Sequence, residues 1–277
     1  VKDLEPVTHA FIPDTQAKEG VPTDHLDWIG NYLVEQFHDK PLKIIHAGDH
    51  GDMPSLSSYD KGKKAMEGRR YKADIEAAKK AWRILNSPLD DYKKFQQRNH
   101  KKIWEPEKYI TLGNHEDRIN RAIESDAQLE GVISIDDLNY RESGWTTLPF
   151  KEVLWLDGVA YSHFFYNPMT GTPYTGTAEN RLKNIGHSFT MGHQQTLMHA
   201  IRFVGGKAQH GLVAGACYLH NEDYKGPQGN AHWRGIIIKH EVKDGAYDPM
   251  FVSLNYLCRR YEGMSLERFM SKKYPNL

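Results

Sequence analysis

The stretch Tyr109-Ile110-Thr111-Leu112-Gly113-Asn114-His115-Glu116-Asp117-Arg118 decides how this chain is read. Its first four residues form a short β-branched and aromatic run that suits a buried strand. The run breaks at Gly113 and presents Asn114, His115, Glu116 and Asp117, after which 118–127 read as a short helix. A strand that ends in a glycine turn and hands polar side chains to a helix is where open α/β sheets place ligand chemistry. The same ten residues also fit an ordinary strand-to-helix turn capped by Asn. The surrounding sequence decides between them.

Upstream, residues 7–13 read as a strand running into Asp14-Thr15-Gln16. A helix is predicted from Thr23 to about Gln36, with Leu26, Ile29, Leu33, Val34 and Phe37 at helical spacing. Pro41 closes it, and Leu42 to Ala47 form a second strand running into Gly48-Asp49-His50-Gly51-Asp52. This is a β-α-β unit with parallel strands, both ending in acidic residues.

Residues 54–102 are polar, basic and helical in character. Tyr71, Ile75, Ala78, Trp82 and Leu85 make a packing stripe, and Pro88 is expected to start a second helix. The lysines and arginines from Lys61 to Lys80 are interspersed with acids, as on a solvated face; a phosphate-backbone contact is the other reading. Residues 128–150 look irregular. A hairpin about Asp157-Gly158 leads to His163. A strand at 188–191 ends at Gly192-His193-Gln194-Gln195, and further strands are expected at 212–219, 233–241 and 250–254. No repeat or low-complexity linker interrupts the chain, which reads as a single domain over 1–277 with a helical insertion at about 54–102.

The 277 residues suffice for a substantial core. Lys+Arg and Asp+Glu balance at 36 each, so no net field draws the chain toward nucleic acid or membrane. With only Cys217 and Cys258, and no Cys-x-x-Cys, neither a disulfide framework nor a cysteine-rich zinc site is expected, and a reducing cytoplasm fits. No apolar run approaches eighteen residues, and the start Val1-Lys2-Asp3-Leu4-Glu5 lacks the apolar region of a signal peptide. No obligate protein partner is evident. Fifteen histidines stand out because imidazole is the commonest metal ligand.

Five polar clusters follow strands or turns: Asp14-Thr15-Gln16; Gly48-Asp49-His50-Gly51-Asp52; Gly113-Asn114-His115-Glu116; His163; and Gly192-His193-Gln194-Gln195. Their oxygen and nitrogen donors suit Mn, Fe, Zn or Mg. Two such ions need a bridging carboxylate, and Asp49, in a turn between glycines, is the natural bridge. The ordered set resembles the calcineurin-like metallophosphoesterase superfamily in its phage and bacterial branch. That family's pattern runs Asp-x-His, Gly-Asp-x-x-Asp, Gly-Asn-His-Glu/Asp, a lone His, then Gly-His-x-His. The resemblance spans roughly residues 8–240.

The resemblance implies a four-layer α/β sandwich of two mixed β-sheets flanked by helices, with the site at the strand C-termini. It implies metal-dependent hydrolysis of a phosphoester, in a bacterial or phage-infected cell, with two divalent ions, manganese first and Mg, Fe or Zn as alternatives. Asp14 and Asp49 would hold the first ion; Asp49, Asn114, His163 and His193 the second. His115 would stand beside the ions as general acid or charge stabiliser, with Asp52 orienting it. Hydroxide on the metals would attack phosphorus in line. The expected substrate is a phosphodiester, with DNA or a nucleotide as candidates. A phosphomonoesterase, or a non-catalytic scaffold with a degenerate first site, are the alternatives.

Two positions depart from the family pattern. Gln16 and Gln195 stand where it has histidines, both at the first ion. As carboxamide ligands they would make that site weaker and harder, suited to Mn or Mg; the alternative is a single tight ion. Arg118 either binds a phosphate oxygen or pairs with Asp117 or Glu116. His50 occupies a free position of its turn, from which it could touch substrate. His210 is a less favoured replacement ligand. Tyr161, Phe164, Phe165 and Tyr166 divide between base stacking and core packing.

Overall fold

The computed structural model describes residues 7–222 and 225–276, apart from the side chains of Asp60 and Ala65. The pentapeptide at the amino end lies outside the described residues. In chain order the strands are Val7–Ile12 (β1), Leu42–His46 (β2), Glu107–Thr111 (β3), Thr146–Leu148 (β4), Leu154–Leu156 (β5), Val159–Ser162 (β6), Phe189–Met191 (β7), Leu197–Val204 (β8), Lys207–Ala214 (β9), Gly235–Lys243 (β10) and Ala246–Ser253 (β11). The α-helices are Asp24–Phe37 (α1), Tyr71–Arg98 (α2), Asp117–Ser125 (α3), Ala178–Ile185 (α4), Gly226–Asn230 (α5), Leu254–Glu262 (α6) and Leu266–Lys273 (α7).

Among the described residues the strands form two mixed sheets, in the orders β11-β10-β1-β2-β3-β4 and β5-β6-β7-β9-β8. The β1–β2, β2–β3 and β3–β4 pairs are parallel, as are β6–β7 and β7–β9; the remaining pairs are antiparallel. Side chains alternate along β1. Ala10 and Ile12 enter the layer under α1 and α2, while Phe11 enters the layer between the sheets with Ile45, Tyr161, Leu212 and Ile237. Both faces of these central strands are therefore apolar, as parallel strands require. Leu26, Ile29, Trp82 and Leu257 cover the outer face of the first sheet, and Ala178 and Leu182 of α4 pack on Phe189 and Val213 of the second. Helices, sheet, sheet and helix make the four-layer α/β sandwich read from the sequence.

The β-α-β unit and the Asp157-Gly158 hairpin form where expected, and both hairpin residues take positive φ, 49° and 83°. Pro88 corrects the reading of two helices, because α2 runs through it unbroken. Its ring lies where a Cβ on Gly30 would come within 2.8 Å, so α1 and α2 cross closely at the proline. The irregular reading of 128–150 misses β4. The β-rich ending also contains α6 and α7, each capped by a serine hydroxyl, Ser253 and Ser265. Among the described residues no helix is long and apolar enough to cross a membrane.

Candidate metal and catalytic site

The loops after β1, β2, β3, β6 and β7 converge on one rim, bringing Asp14, Asp49, Asn114, His115, His163 and His193 together. Glu116 binds two of these loops to each other. It is wholly buried, and its carboxylate accepts from the backbone of Gly113 (2.9 Å), Asp49 (2.8 Å) and His50 (2.7 Å), and from the Tyr140 hydroxyl (3.2 Å). A Cβ on Gly113 would sit 2.0 Å from Asp49 Oδ1, so only glycine lets the two turns touch. Gln16, Asp49, His193 and Gln195 all adopt positive φ, between 47° and 66°. Strain of this kind costs about 1–3 kcal/mol per residue and persists where the surroundings over-determine it.

One half of the rim is a set of lone pairs pointed at a common space. Oδ2 of Asp49 lies 3.3 Å from His163 Nε2, which is 3.0 Å from Asn114 Oδ1 and 3.2 Å from His193 Nδ1. One ligand atom each from Asp49, His163 and His193 lies within 4.8 Å of the other two. The other ring nitrogen of His163 donates to the Ala47 carbonyl at 2.8 Å, so Nε2 of the neutral ring faces these acceptors with a lone pair. Either a proton or a metal cation must satisfy them. Burial opposes a charged ring at His163, but the Asp49 carboxylate outweighs it and pushes the pKa up to about 9. This donor set fits a divalent cation. His193 is exposed and leaves the space open on one side. Arg181 of α4 steadies the His193 loop by donating to Gln194 Oε1 at 2.7 Å.

His115 stands next to this set. Its Nδ1 lies 2.8 Å from Asp52 Oδ1 and 2.9 Å from the Asp52 carbonyl, while Nε2 faces Asp49 Oδ2 at 3.7 Å. Burial disfavours a charged ring here too, but Asp49 and Asp52 together raise its pKa. Asp52 is in turn held by Lys18, which bridges Asp52 Oδ2 (3.0 Å) and Glu222 Oε2 (2.9 Å). Arg118 bonds neither Asp117 nor Glu116: Nη1 donates to the Asp52 carbonyl at 2.7 Å, and Nη2 lies 3.3 Å from His115 Nε2.

The other half of the rim is differently built. Asp14 is wholly buried, accepts the His193 backbone N–H at 3.1 Å, and has its carboxyl pushed up to about 6 by burial against the pull of His163. Gln195 turns its amide nitrogen toward Asp14 Oδ2 (3.5 Å), and Gln16 turns its own toward Asp49 Oδ2 (3.4 Å). The Gln195 oxygen accepts from the Tyr218 hydroxyl at 2.7 Å and from the Lys225 ammonium. Expected as ligands through their oxygens, the two glutamines instead present N–H groups to the carboxylates. This half does not fit a second cation.

His50 also needs correction. It is wholly buried, with Nδ1 on Thr15 Oγ1 (2.7 Å) and Nε2 on the Ala78 carbonyl (3.0 Å), and so is no substrate contact. His210 lies near the start of β9, stacked on Tyr247, beside Ser188 at the opposite end of β7 from His193. Tyr161, Phe164 and Phe165 are core, with Phe164 packed 4.6 Å from the His193 ring. Sequence reasoning gave Glu116 no role and passed over Tyr218 and Lys225. Glu116 was detectable as the last residue of its motif; Lys225, thirty residues beyond Gln195, carried no signal.

No protein-family model matches this chain, and no curated protein does. Among solved structures it is similar to the 5'-nucleotidase precursor from Thermus thermophilus, at 13% identity and a TM-score of 0.32, over 89% of this chain and 54% of that one. The chain thus spans about half the length of that protein. What the rim can do therefore rests on its own residues.

Proposed function

We propose that the protein is a metal-dependent phosphoesterase of the calcineurin-like type, acting on a phosphodiester. The observation that carries this is the pairing of a cation-ready donor set with a carboxylate-anchored histidine on the same rim. A divalent cation on Asp49, Asn114, His163 and His193, manganese first among the candidates, would supply Lewis-acid polarisation of the phosphoryl group and of the attacking water. His115 serves as the general acid for the leaving oxygen, with Asp52 holding Nδ1 and so the ring's direction, and with Nε2 accepting from Arg118 in the resting site. Arg118, with its guanidinium at the same Nε2, stabilises charge on the phosphoryl oxygens. Lys18 reaches from Asp52 to a neighbouring cleft of about 330 Å³, whose lining includes Glu76, Lys80 and Arg83. A substrate that extends beyond its phosphate, a diester such as a nucleic-acid end or nucleotide, would reach along Lys18 toward that cleft, as a compact monoester would not. Two free, buried thiols, Cys217 and Cys258, accord with a cytoplasmic setting.

The test is His115→Ala on metal-loaded protein, with bis-p-nitrophenyl phosphate beside p-nitrophenyl phosphate. Diester turnover should fall about 10²–10⁴-fold with bound cation unchanged. Loss of the cation would refute the place given to His115, and a preference for the monoester would refute the substrate class.

A further inference from the structure

The rim carries two carboxylates, Asp14 and Asp49, but cation-ready lone pairs gather only around Asp49. The reason lies in how Gln195 is held. Its side-chain oxygen accepts from the Lys225 ammonium and from Tyr218 Oη at 2.7 Å. An ammonium can only donate, so the atom facing it must be the amide oxygen. That choice sends the amide NH₂ toward Asp14 Oδ2. Gln16 does the same at Asp49, where an ionised carboxylate can only accept. Asp14, Gln16 and Gln195 are all at least 95% buried, at 0%, 1% and 4% exposure, and Tyr218 is fully buried. Lys225 also lies 3.2 Å from Tyr218 Oη, and the Arg234 guanidinium sits 4.9 Å above the same ring.

A cation placed between Asp14 and Asp49 would need oxygen donors from the glutamines. Turning Gln195 over to supply one would set its NH₂ against Lys225 and Tyr218 Oη, donor against donor for the ammonium. We propose that this chain is a one-cation phosphoesterase, in which Lys225 and Tyr218 lock Gln195 so that amide N–H groups and the lysine charge take the place of a first metal. This rests on the phosphoesterase reading above and deepens it. Asp14 then serves as the acceptor that holds the His193 backbone, a positioning role.

The experiment is Mn equilibrium dialysis on the chelator-stripped full chain, with bound Mn counted per chain. The wild type should bind one equivalent, and Gln195→His/Lys225→Ala should gain a second. A second wild-type equivalent that disappears in Asp14→Asn would overturn the proposal, as would a folded double variant that gains nothing. If the double variant does not fold, the wild-type count decides alone. Two equivalents with diester hydrolysis would remove the one-cation proposal and leave the phosphoesterase reading standing. No bound Mn and no hydrolysis would remove the phosphoesterase reading beneath it.

Discussion

The two halves of the rim are made from similar parts and do opposite things. Around Asp49, the nitrogens of two imidazoles, an Asn oxygen and the carboxylate crowd together at 3.0–3.3 Å, an arrangement that a proton or a metal cation satisfies. Around Asp14, a backbone N–H and a glutamine amide donate to the carboxylate, and a lysine satisfies the glutamine from behind. On the function proposed above, one half is completed by a cation from solution, and the other is completed by the chain itself. On this reading, the number of carboxylates in a site does not set its metal count. What sets it is whether the neighbouring donors and acceptors are already matched.

The largest effect should come from breaking the open half. His163→Ala removes the atom shared by all three short contacts. Cation affinity should fall by more than about 100-fold, since loss of even an outer partner of a metal ligand costs about 10–100-fold. Calorimetric titration with Mn would measure it, and an unchanged affinity would place the cation elsewhere.

Glu116→Gln loosens the support beneath that half. An amide nitrogen facing the backbone donors of Gly113 and Asp49, or of His50, leaves buried N–H groups unpaired, for a loss of about 2–3 kcal/mol. Urea denaturation would show it, and a wild-type midpoint would mean the loops hold without it.

Asp157 serves as a control far from the rim. Its hydrogen bond to His9 and the neighbouring Lys43 hold its pKa down to about 2, below the ordinary value of about 3.9. A depressed carboxylate stabilises the fold above its unfolded pKa, and that contribution disappears as pH falls through the folded one. Asp157→Asn should therefore cost about 1 kcal/mol or less near pH 7, allowing for solvent screening, with most of that cost lost by pH 2. A penalty that persisted in full at pH 2 would assign the effect to something other than charge.

The smallest effect is expected in the closed half. Gln195→Ala should leave affinity for the first Mn equivalent within about threefold, because its N–H faces only Asp14 in the closed half and no ligand of the open one. A loss as deep as that of His163→Ala would make Gln195 a ligand and erase the contrast.

Much of this was legible in advance because it is local. The apolar runs of β1, β2 and β3 and the glycine turns after them carry their own conformational reasons, and they deliver the polar clusters to one rim. The three-residue strand β4 is too short for any periodicity. Strand β8 mixes Met198, His199 and Arg202 with apolar residues, and shows its pairing only beside β9. Pro88 misled because its tolerance depends on a glycine in another helix. The two glutamines misled in the most instructive way: a carboxamide can ligate or donate, and its partners decide which, Asp49 for Gln16 and, far along the chain, Lys225 for Gln195.

The central claim is that the open half of the rim holds the cation on which hydrolysis depends. It is tested most directly by following bis-p-nitrophenyl phosphate hydrolysis as Mn is returned to the stripped protein, with His193→Ala assayed in parallel. Turnover should rise with the first equivalent in the wild type and stay at background in the variant at the same free Mn. Hydrolysis that ignores Mn, or that survives in His193→Ala with the same Mn dependence, would contradict the account.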